Sequence, residues 1–221
     1  FDDAGRVLGV TVEMLTNAGH SADLSPPVMT RALCHFDNAY WLPHVAMAGY
    51  CARTNTQSNT AFRGFGGPQG VVVMEDALDR IARHLGRDAN ELRALNFYGA
   101  GRDETPYGQT VDENHLARCW ADVKQGGDFE RRRAEVDAFN GTSPILKRGL
   151  GLFPLKFGIS FNLPHMNQAG ALVHVYTDGS IRLNHGGTEM GQGLFQKVAQ
   201  VVAGVFGVEV GLVKITATDT A

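Results

Sequence analysis

The sequence is missing the features that define several large classes of protein. Its three cysteines are scattered and form no CxxC pair, which excludes a disulfide framework and favours a reducing, cytoplasmic environment. Its eight histidines form neither an HExxH motif nor any spacing typical of zinc ligands. No apolar run approaches the roughly twenty residues that a membrane-spanning helix needs. We therefore expect a cytoplasmic protein without a zinc site or a membrane span.

A strong charge of either sign is missing too. The net charge is −3, and 43% of the 221 residues are hydrophobic and 19% charged, as in ordinary globular proteins. This balance gives no electrostatic reason to bind nucleic acid or an anionic membrane. The basic run Arg131–Arg133 lies in an acidic, helix-like segment and is interpreted as a solvated face. The chain is long enough for one large domain or two small ones.

Strand patterns lie close to both ends of the chain, and there is no initiator methionine or signal peptide. Leu8, Val10, Val12 and Met14 alternate with other residues near the start. A second alternating strand is predicted at about 212–218. We therefore expect an internal fragment of a longer polypeptide, whose remainder supplies partners for these strands.

The first part of the chain carries mainly helical patterns. Ser25 followed by two prolines indicates an N-cap before a short helix. Apolar residues recur at helical spacing from Pro68 to Gly86, and Asp88 and Glu91 have the spacing of a capping box. The predicted helices cover residues 26–36, 68–86, 88–98, 112–124 and 128–139, with a polar, turn-rich segment over 45–60.

The second part of the chain predicts a small sheet with one helix. Alternating apolar residues flank Asp178 and Gly179, which is the clearest hairpin signal in the sequence. A helix follows, and its predicted inner face consists of Leu194, Val198, Val201, Val202 and Val205. A last strand completes a β-β-α-β unit. The predicted fold class is therefore α+β, with mixed sheets and flanking helices, in two parts that cover residues 1–143 and 144–221.

Two glycine-rich stretches, NTAFRGFGGPQG (59–70) and HGGTEMGQG (185–193), each lead into a predicted helix. The unpaired N–H groups and the dipole of a helix N-terminus favour an anion such as phosphate. Neither stretch is a standard nucleotide motif, because the first lacks the lysine and hydroxyl of a P-loop and the second does not satisfy GxGxxG. Two interpretations stay open: a phosphorylated cofactor, or two tight turns where helices pack against strands.

Four side chains in these stretches suit a flat or polar ligand. Phe62 and Phe65 flank Arg63 and Gly64, so that one ring can anchor the loop while the other stacks on a planar group. Arg63 presents a fork of donors, and Gln192 can donate and accept, as the edge of a heteroaromatic ring requires. The alternatives are core positions for the phenylalanines, a surface ion pair for Arg63 and a helix-cap contact for Gln192.

Three longer stretches carry a resemblance to a known family. SNTAFRGFGGPQG, LKFGISFNLPHMNQAGALVHVYTDGS and NHGGTEMGQGL, in this order, closely resemble the molybdenum-binding region of the xanthine dehydrogenases, within the wider molybdenum hydroxylase family. The likeness covers nearly the whole chain. The first and third stretches are also typical of aldehyde oxidases, whereas KFGISF and the arginine in MTRALCHFDNAY favour the xanthine branch.

The resemblance implies a cofactor and partners. A molybdenum–pterin cofactor (molybdopterin) would hold the metal through its dithiolene, so that no protein side chain is a direct metal ligand. Phe62 and Arg63 would lie against this cofactor, and Gln192 would bond it near the metal. Electrons would leave through iron–sulfur clusters and FAD on another domain or subunit, and the remainder of the molybdenum subunit would complete the site.

The resemblance also implies a substrate and three residues that bind it. The reaction would be the hydroxylation of hypoxanthine and xanthine to urate with water-derived oxygen, a step of purine catabolism. Phe65 would stack face-on against the purine and Phe161 would meet it edge-on. Arg31 would bind a purine oxygen and stabilise the negative charge that develops on the ring, which makes it the expected catalytic residue.

The chain departs from the family pattern in several places. It contains neither the late Gly-Glu-Pro-Pro motif of the family's general base nor the Gly-Gly-Phe-Gly-Gly-Lys-Glu motif of a substrate glutamate. Glu189 is not taken as a replacement for the base. Phe195 stands where the family commonly has histidine, and Asn162 where it has threonine. We therefore expect the fragment alone to be inactive. A hydroxylase of aldehydes or other N-heterocycles, and a non-catalytic assembly module, are the alternatives.

Overall fold

The computed structural model describes residues 1–216, and they divide into two compact units between Asn162 and Leu163. Unit 1 contains a two-stranded parallel sheet and five helices. Its elements are β1 (Val10–Gly19), α1 (Ser25–His35), β2 (Val45–Arg53), α2 (Gly67–Leu85), α3 (Ala89–Leu95), α4 (Leu116–Gly126) and α5 (Phe129–Thr142). β1 and β2 pair from Val10 opposite Val45 onward, with α1 as the crossover between them.

The core of unit 1 lies where α2 packs against the end of α1 and the strands. α2 buries Val71, Met74, Leu78 and Ala82 at the spacing of one helical face. Phe36, just after α1, is fully buried in the same cluster. The amphipathic pattern of the sequence therefore predicted this helix and its buried face correctly.

Several predicted boundaries in unit 1 are confirmed, whereas one cap and one segment were wrong. Ser25 was predicted to be the N-cap of α1, but it is the first residue of the helix, and its hydroxyl donates to the carbonyl of Asn59. Gly86 ends α2 in the left-handed conformation, with φ of +64°. Asp88 caps α3 by accepting hydrogen bonds from the N–H groups of Asn90 and Glu91, at 2.7 and 3.2 Å. The stretch 45–60 was predicted to be polar and turn-rich, but its first half is strand β2. Its pairing with β1 overrides a weak local pattern.

Over residues 163–216, unit 2 has a three-stranded sheet and one α-helix. Its elements are β3 (Ala171–Val175), β4 (Ile181–His185), α6 (Leu194–Phe206) and β5 (Val213–Ile215), with short 3-10 turns at Pro164–Met166 and Val210–Leu212. β4 is central, antiparallel to β3 and parallel to β5. This arrangement confirms the predicted α+β class and its β-β-α-β unit. The predicted last strand extended to residue 218, and its end lies outside the described residues.

The inner face of α6 differs from the prediction. Ala199 and Ala203 are buried against β4 and β5, with Val198 and Val202 packed beside them. Val201 and Val205, predicted to be inner residues, are 66% and 78% exposed. The two alanines lie one turn apart, and their small side chains let the helix approach the sheet closely, so the buried stripe follows them and leaves Val201 and Val205 outside it.

The segment 144–162 belongs to unit 1 by its contacts, which are described below. The boundary between the compact units thus does not coincide with the predicted division at residue 143, and that division into cofactor-binding parts stays a prediction. Across residues 1–216, no helix is both long and apolar enough to cross a membrane.

Candidate functional site

Helix α1 places two polar side chains on one buried face. Arg31 and His35 are one helical turn apart, so they project to the same side. Each is only 5% exposed. Both contact the strip of chain around residues 157–161, more than a hundred positions further along the sequence.

The guanidinium of Arg31 is held by backbone carbonyls. Its Nη1 donates to the carbonyl oxygen of Gly158 and its Nη2 to that of Ser160. The guanidinium carbon lies 5.8 Å from the centre of the Phe65 ring and 5.9 Å from that of Phe157, within cation–π distance of both. Its Nε is buried and has no hydrogen-bond partner among residues 1–216. Two of the five guanidinium N–H donors are therefore used in these two bonds.

His35 links the same strip to the backbone of α1. Its Nε2 lies 2.9 Å from the N–H nitrogen of Gly158, and its Nδ1 lies 2.9 Å from the carbonyl oxygen of Arg31. An amide N–H can only donate, so Nε2 is the unprotonated nitrogen and Nδ1–H donates to the carbonyl. Burial is the main cause that lowers the pKa of His35, and the charges of Arg31 and Lys156 act in the same direction. The imidazole is therefore neutral at pH 7.

Two aromatic rings meet beside Arg31. The centres of the Phe65 and Phe161 rings are 5.6 Å apart and the ring planes are inclined by 45°. Rings at this separation touch each other, so they form a half-exposed corner and do not sandwich a flat ligand between them. Phe65 has φ of +53°, between two glycines that also have positive φ. A non-glycine residue in this region is uncommon, and such positions cluster at functional sites.

The glycines of the first loop have a structural cause as well. A Cβ atom on Gly66 would lie 2.1 Å from the carbonyl oxygen of Val28, and one on Gly70 would lie 2.2 Å from that of Ala32. These glycines therefore let the start of α2 pack directly on the backbone of α1. On the outer side of the loop, Phe62 is 82% exposed and Arg63 is also exposed.

A second set of contacts holds the strip upstream of Gly158. The side-chain amide of Asn38 donates to the carbonyl of Pro154 at 2.9 Å, and its oxygen accepts from the N–H of Lys156 at 3.2 Å. The ammonium of Lys156 donates to the carboxylate of Asp37, which also accepts from the hydroxyl of Tyr98 at 2.6 Å. Burial raises the pKa of Asp37, and the neighbouring Lys156 offsets part of that rise. Residues 154–160 are thus held to the end of α1 along their length.

In unit 2 the carboxylate of Glu189 is bound by backbone N–H groups of the second glycine-rich loop, to which Glu189 itself belongs. The carboxylate of Glu189 accepts the N–H groups of Gly191, Gly193 and Phe195 at 2.7, 3.1 and 3.3 Å, ahead of α6. Desolvation acts to raise the pKa of Glu189, but these N–H groups hold it below its ordinary value. The predicted anion position at this helix N-terminus is occupied by a side chain of the same loop.

The side chain of Gln192 hydrogen-bonds to the backbone of the same loop. Its oxygen accepts from the N–H of Met190 at 2.6 Å, and its nitrogen donates to the carbonyl of Thr188 at 2.8 Å. An amide has two N–H donors and two lone pairs, so one of each remains for a further partner.

Unit 1 therefore brings Arg31, Phe65 and Phe161 together and sets Phe62 and Arg63 on the outer side of the same loop, while Gln192 lies in unit 2. Sequence reasoning did not single out His35, although its spacing of four from Arg31 was a usable signal. Among residues 1–216 there is no group of three or more His, Cys, Asp or Glu side chains suited to a metal ion. The predicted manner of holding the metal stays a prediction.

Comparisons with known proteins define the class. Residues 1–97 match one family model and residues 122–221 match another, and both are described as a molybdopterin cofactor-binding domain. The chain therefore belongs to the molybdopterin cofactor-binding domain family, which confirms the family and the cofactor inferred from the motifs.

The relatives by sequence include several xanthine dehydrogenases. Xanthine dehydrogenase 1 of Arabidopsis thaliana is 46% identical over 220 residues, which are 100% of this chain and 16% of that protein. The xanthine dehydrogenase/oxidase of Felis catus has the same values of identity and coverage. Nicotinate hydroxylase hnxS of Emericella nidulans is 45% identical over 92% of this chain and 15% of that protein. The chain thus spans about a sixth of the length of these relatives.

Solved structures share the fold at lower identity. Aldehyde oxidoreductase from Desulfovibrio desulfuricans superposes with a TM-score of 0.76 at 22% identity, over 99% of this chain and 24% of that one. Quinoline 2-oxidoreductase from Pseudomonas putida 86 gives a TM-score of 0.69 at 22% identity, over 99% of this chain and 29% of that one.

Proposed function

We propose that the chain is a cofactor-binding part of the molybdenum subunit of a xanthine dehydrogenase, which hydroxylates hypoxanthine and xanthine to urate with water-derived oxygen. The observation that carries this proposal is the meeting of Arg31, Phe65 and Phe161 in one corner of unit 1. These three residues were assigned to the purine from separate motifs. Their meeting supports one substrate site and does not by itself name the substrate.

The chemistry of this corner suits a flat molecule that carries oxygen. Phe65 and Phe161 are half-exposed and inclined to each other, so one can present its face and the other its edge to a purine. Arg31 keeps N–H donors beyond those it gives to Gly158 and Ser160. A guanidinium placed where negative charge develops on the ring stabilises the transition state more than the ground state.

The cofactor proposal rests on residues in each unit taken separately. When bound, the molybdenum–pterin cofactor would supply the redox centre and would activate the water-derived oxygen for transfer. In unit 1 the exposed ring of Phe62 and the guanidinium of Arg63 would pack against it and donate to it. In unit 2 Gln192 retains one N–H donor and one lone pair for it. The orphaned Nε of Arg31 is a further donor close to Phe65.

The remaining parts of the proposal come from the resemblance of the motifs. Electrons would pass to iron–sulfur clusters and FAD on another domain or subunit. The rest of the molybdenum subunit would supply the glutamate base and the opposite wall. The parent enzyme would work in purine catabolism. Its cytoplasmic location is proposed from the three scattered cysteines and not from the resemblance.

A second candidate is a molybdenum hydroxylase of other N-heterocycles or of aldehydes. The observation in its favour is the identity of 45% to a nicotinate hydroxylase, as high as that to several xanthine dehydrogenases. Asn162, the departure from the family pattern beside Phe161, donates from its side-chain nitrogen to the carbonyl of Pro27 at 3.2 Å. It therefore ties the strip to the start of α1 and is a candidate for altered substrate orientation.

The decisive experiment is Arg31→Met in the full-length parent enzyme, assayed with xanthine and with an aldehyde. Loss of a charged hydrogen bond in the transition state should lower kcat/KM for xanthine by roughly 30- to 1000-fold, corresponding to about 2–4 kcal/mol. Turnover of the aldehyde should fall much less, because it places no purine oxygen on Arg31. Arg53→Met, which changes an exposed arginine of unit 1, is the control and should leave both activities unchanged.

Three results would count against the proposal in different ways. Equal losses for both substrates would refute the assigned role of Arg31. Full molybdenum loading with turnover of aldehydes or nicotinate but not of hypoxanthine would favour the second candidate. A loaded parent protein without any turnover would favour the third interpretation, a non-catalytic assembly module.

A further inference from the structure

The grip of α1 on residues 158–160 involves two side chains that act on the same residue. The N–H of Gly158 donates to His35, and its carbonyl accepts from Arg31, so both of its backbone polar groups are hydrogen-bonded to side chains of α1. Arg31 also donates to the carbonyl of Ser160. Phe161 is the next residue in the chain, so its position depends on how these three bonds set the strip.

His35 can set the strip because it is itself held from both sides. It is 5% exposed, and its Nδ1–H bond to the carbonyl of Arg31 fixes the ring on its own helix. The ring of Phe157 packs against it, with ring centres 5.0 Å apart. A buried imidazole with both nitrogens bonded has one orientation and one tautomer, which makes it a rigid acceptor for Gly158.

We propose that His35 is a positioning residue of the substrate site. By accepting the N–H of Gly158, it sets where the two carbonyls hold the Arg31 guanidinium and where Phe161 stands beside Phe65. It does not touch the substrate. The inference deepens the proposed function, on which the identity of the substrate rests, but the positioning itself rests only on contacts within unit 1.

The proposal gives His35 a protonation requirement. A proton on Nε2 would remove the lone pair that accepts from Gly158, so only the neutral ring can do this. The charged groups that face His35 are Arg31 on its own helix, Asp37 just after it and Lys156 on the strip. Burial, which is the largest effect, lowers the pKa of His35 below its ordinary value of 6.5. The bond is therefore formed at neutral pH, and it is lost as the pH falls through the pKa of the folded state, which lies below 6.5.

The experiment compares His35→Leu and His35→Gln in the full-length parent enzyme. Leucine removes both hydrogen bonds, whereas the glutamine amide offers an N–H group to donate and an oxygen to accept, and it does not titrate. His44→Leu, at an exposed histidine of unit 1, is the matched control. Three quantities are measured: hydrogen-exchange protection of the peptide that contains Gly158, molybdenum content, and kcat and KM from pH 5 to 8.

His35→Leu should lower the protection of the Gly158 peptide and the kcat/KM for xanthine each by about tenfold, with molybdenum content unchanged. His35→Gln should stay near wild type at pH 8, and it should lack the decline in kcat/KM that we expect of wild type as the pH falls through the pKa of His35, below 6.5. Protection of Gly158 unchanged by leucine would overturn the proposal. The proposal would also be overturned if kcat/KM declined at acid pH equally in wild type and in His35→Gln. This comparison remains a test even if His35→Leu does not fold. A wild-type enzyme inactive on purines would refute the proposed function alone, since the exchange comparison does not need a substrate.

Discussion

At the scale of single residues, the glycines of NTAFRGFGGPQG have more than one cause. Gly66 and Gly70 face the backbone of α1 at distances that no side chain can occupy, whereas Phe62 and Arg63 are exposed. Of the two interpretations open from the sequence, close packing explains these two glycines, although α2 packs here on helix α1 and not on a strand. The cofactor interpretation concerns the opposite side of the loop. The density of glycine in this motif therefore does not by itself indicate a ligand.

This reading of Gly70 predicts the result of Gly70→Ala. Because the new Cβ would meet the carbonyl oxygen of Ala32 at 2.2 Å, the two helices must separate, at a cost of roughly 1–3 kcal/mol or more. Thermal or denaturant unfolding of the chain should show this loss. Gly126→Ala is the control, since its Cβ meets no atom within 4 Å and it should be neutral or stabilising by up to about 1 kcal/mol. Equal stability of the two variants would contradict the packing account.

At the scale of elements, the end of α1 acts together with the strip at 154–160. Asp37 and Asn38 hold its first half, and His35 and Arg31 hold its second half. The polar residues of the motif RALCHFDN thus have a shared structural task, which is to fix the chain just ahead of Phe161. The geometry of the site therefore depends both on the end of α1 and on residues 154–160.

Lys156→Met tests the first half of this clamp, which consists of the contacts of Asp37 and Asn38 with residues 154–156. Asp37 is fully buried, so loss of the ammonium leaves its carboxylate without a charged partner, which typically costs about 3–5 kcal/mol at neutral pH. The cost should shrink at low pH, where Asp37 can take up a proton. Denaturant unfolding at pH 5 and 8 measures both effects. The double variant Asp37→Asn with Lys156→Met should recover much of the loss, and Lys197→Met, at an exposed lysine of α6, should change stability little. A single variant as stable as the control at pH 8 would show that the clamp is dispensable.

At the scale of the whole molecule, the chain spans about a sixth of the length of its relatives and leaves large apolar side chains exposed. Leu15 on β1 and Val205 on α6 are 76% and 78% exposed. The family domains are thus present in a chain that we propose to be one part of a larger enzyme.

We predict that the 221-residue chain purified alone retains no molybdenum and does not hydroxylate purines. The proposed substrate corner supplies one wall of a site, and no glutamate of the expected base motif is present in the sequence. Metal analysis by mass spectrometry and calorimetric titration with xanthine would measure this, with the full-length parent as the control. Stoichiometric molybdenum or tight purine binding in the isolated chain would contradict the prediction.

The sequence predicted elements well where the local pattern was strong. α2 has a continuous apolar face, a proline at its start and a glycine at its end, and all three signals agree. β2 was missed because its sequence, VAMAGYCAR, is an almost continuous apolar run without apolar–polar alternation and contains alanine and glycine, which have low strand propensity; it becomes a strand by pairing with β1. The inner face of α6 was misplaced because its valines outweigh its alanines in hydrophobicity, although the alanines pack closer to the sheet.

The amino-acid sequence by itself determined the family, the cofactor class and the helices and hairpin whose periodicity is clear, because motifs and amphipathic patterns are local properties of the chain. Only the tertiary structure decided that Arg31 and His35 bind Gly158, which is 127 and 123 positions away from them. It also decided that Glu189 fills the anion position ahead of α6. These contacts depend on which surfaces pack together, and the hydrogen-bonding capacity of a buried side chain is assigned to a partner only when packing has brought the two within reach.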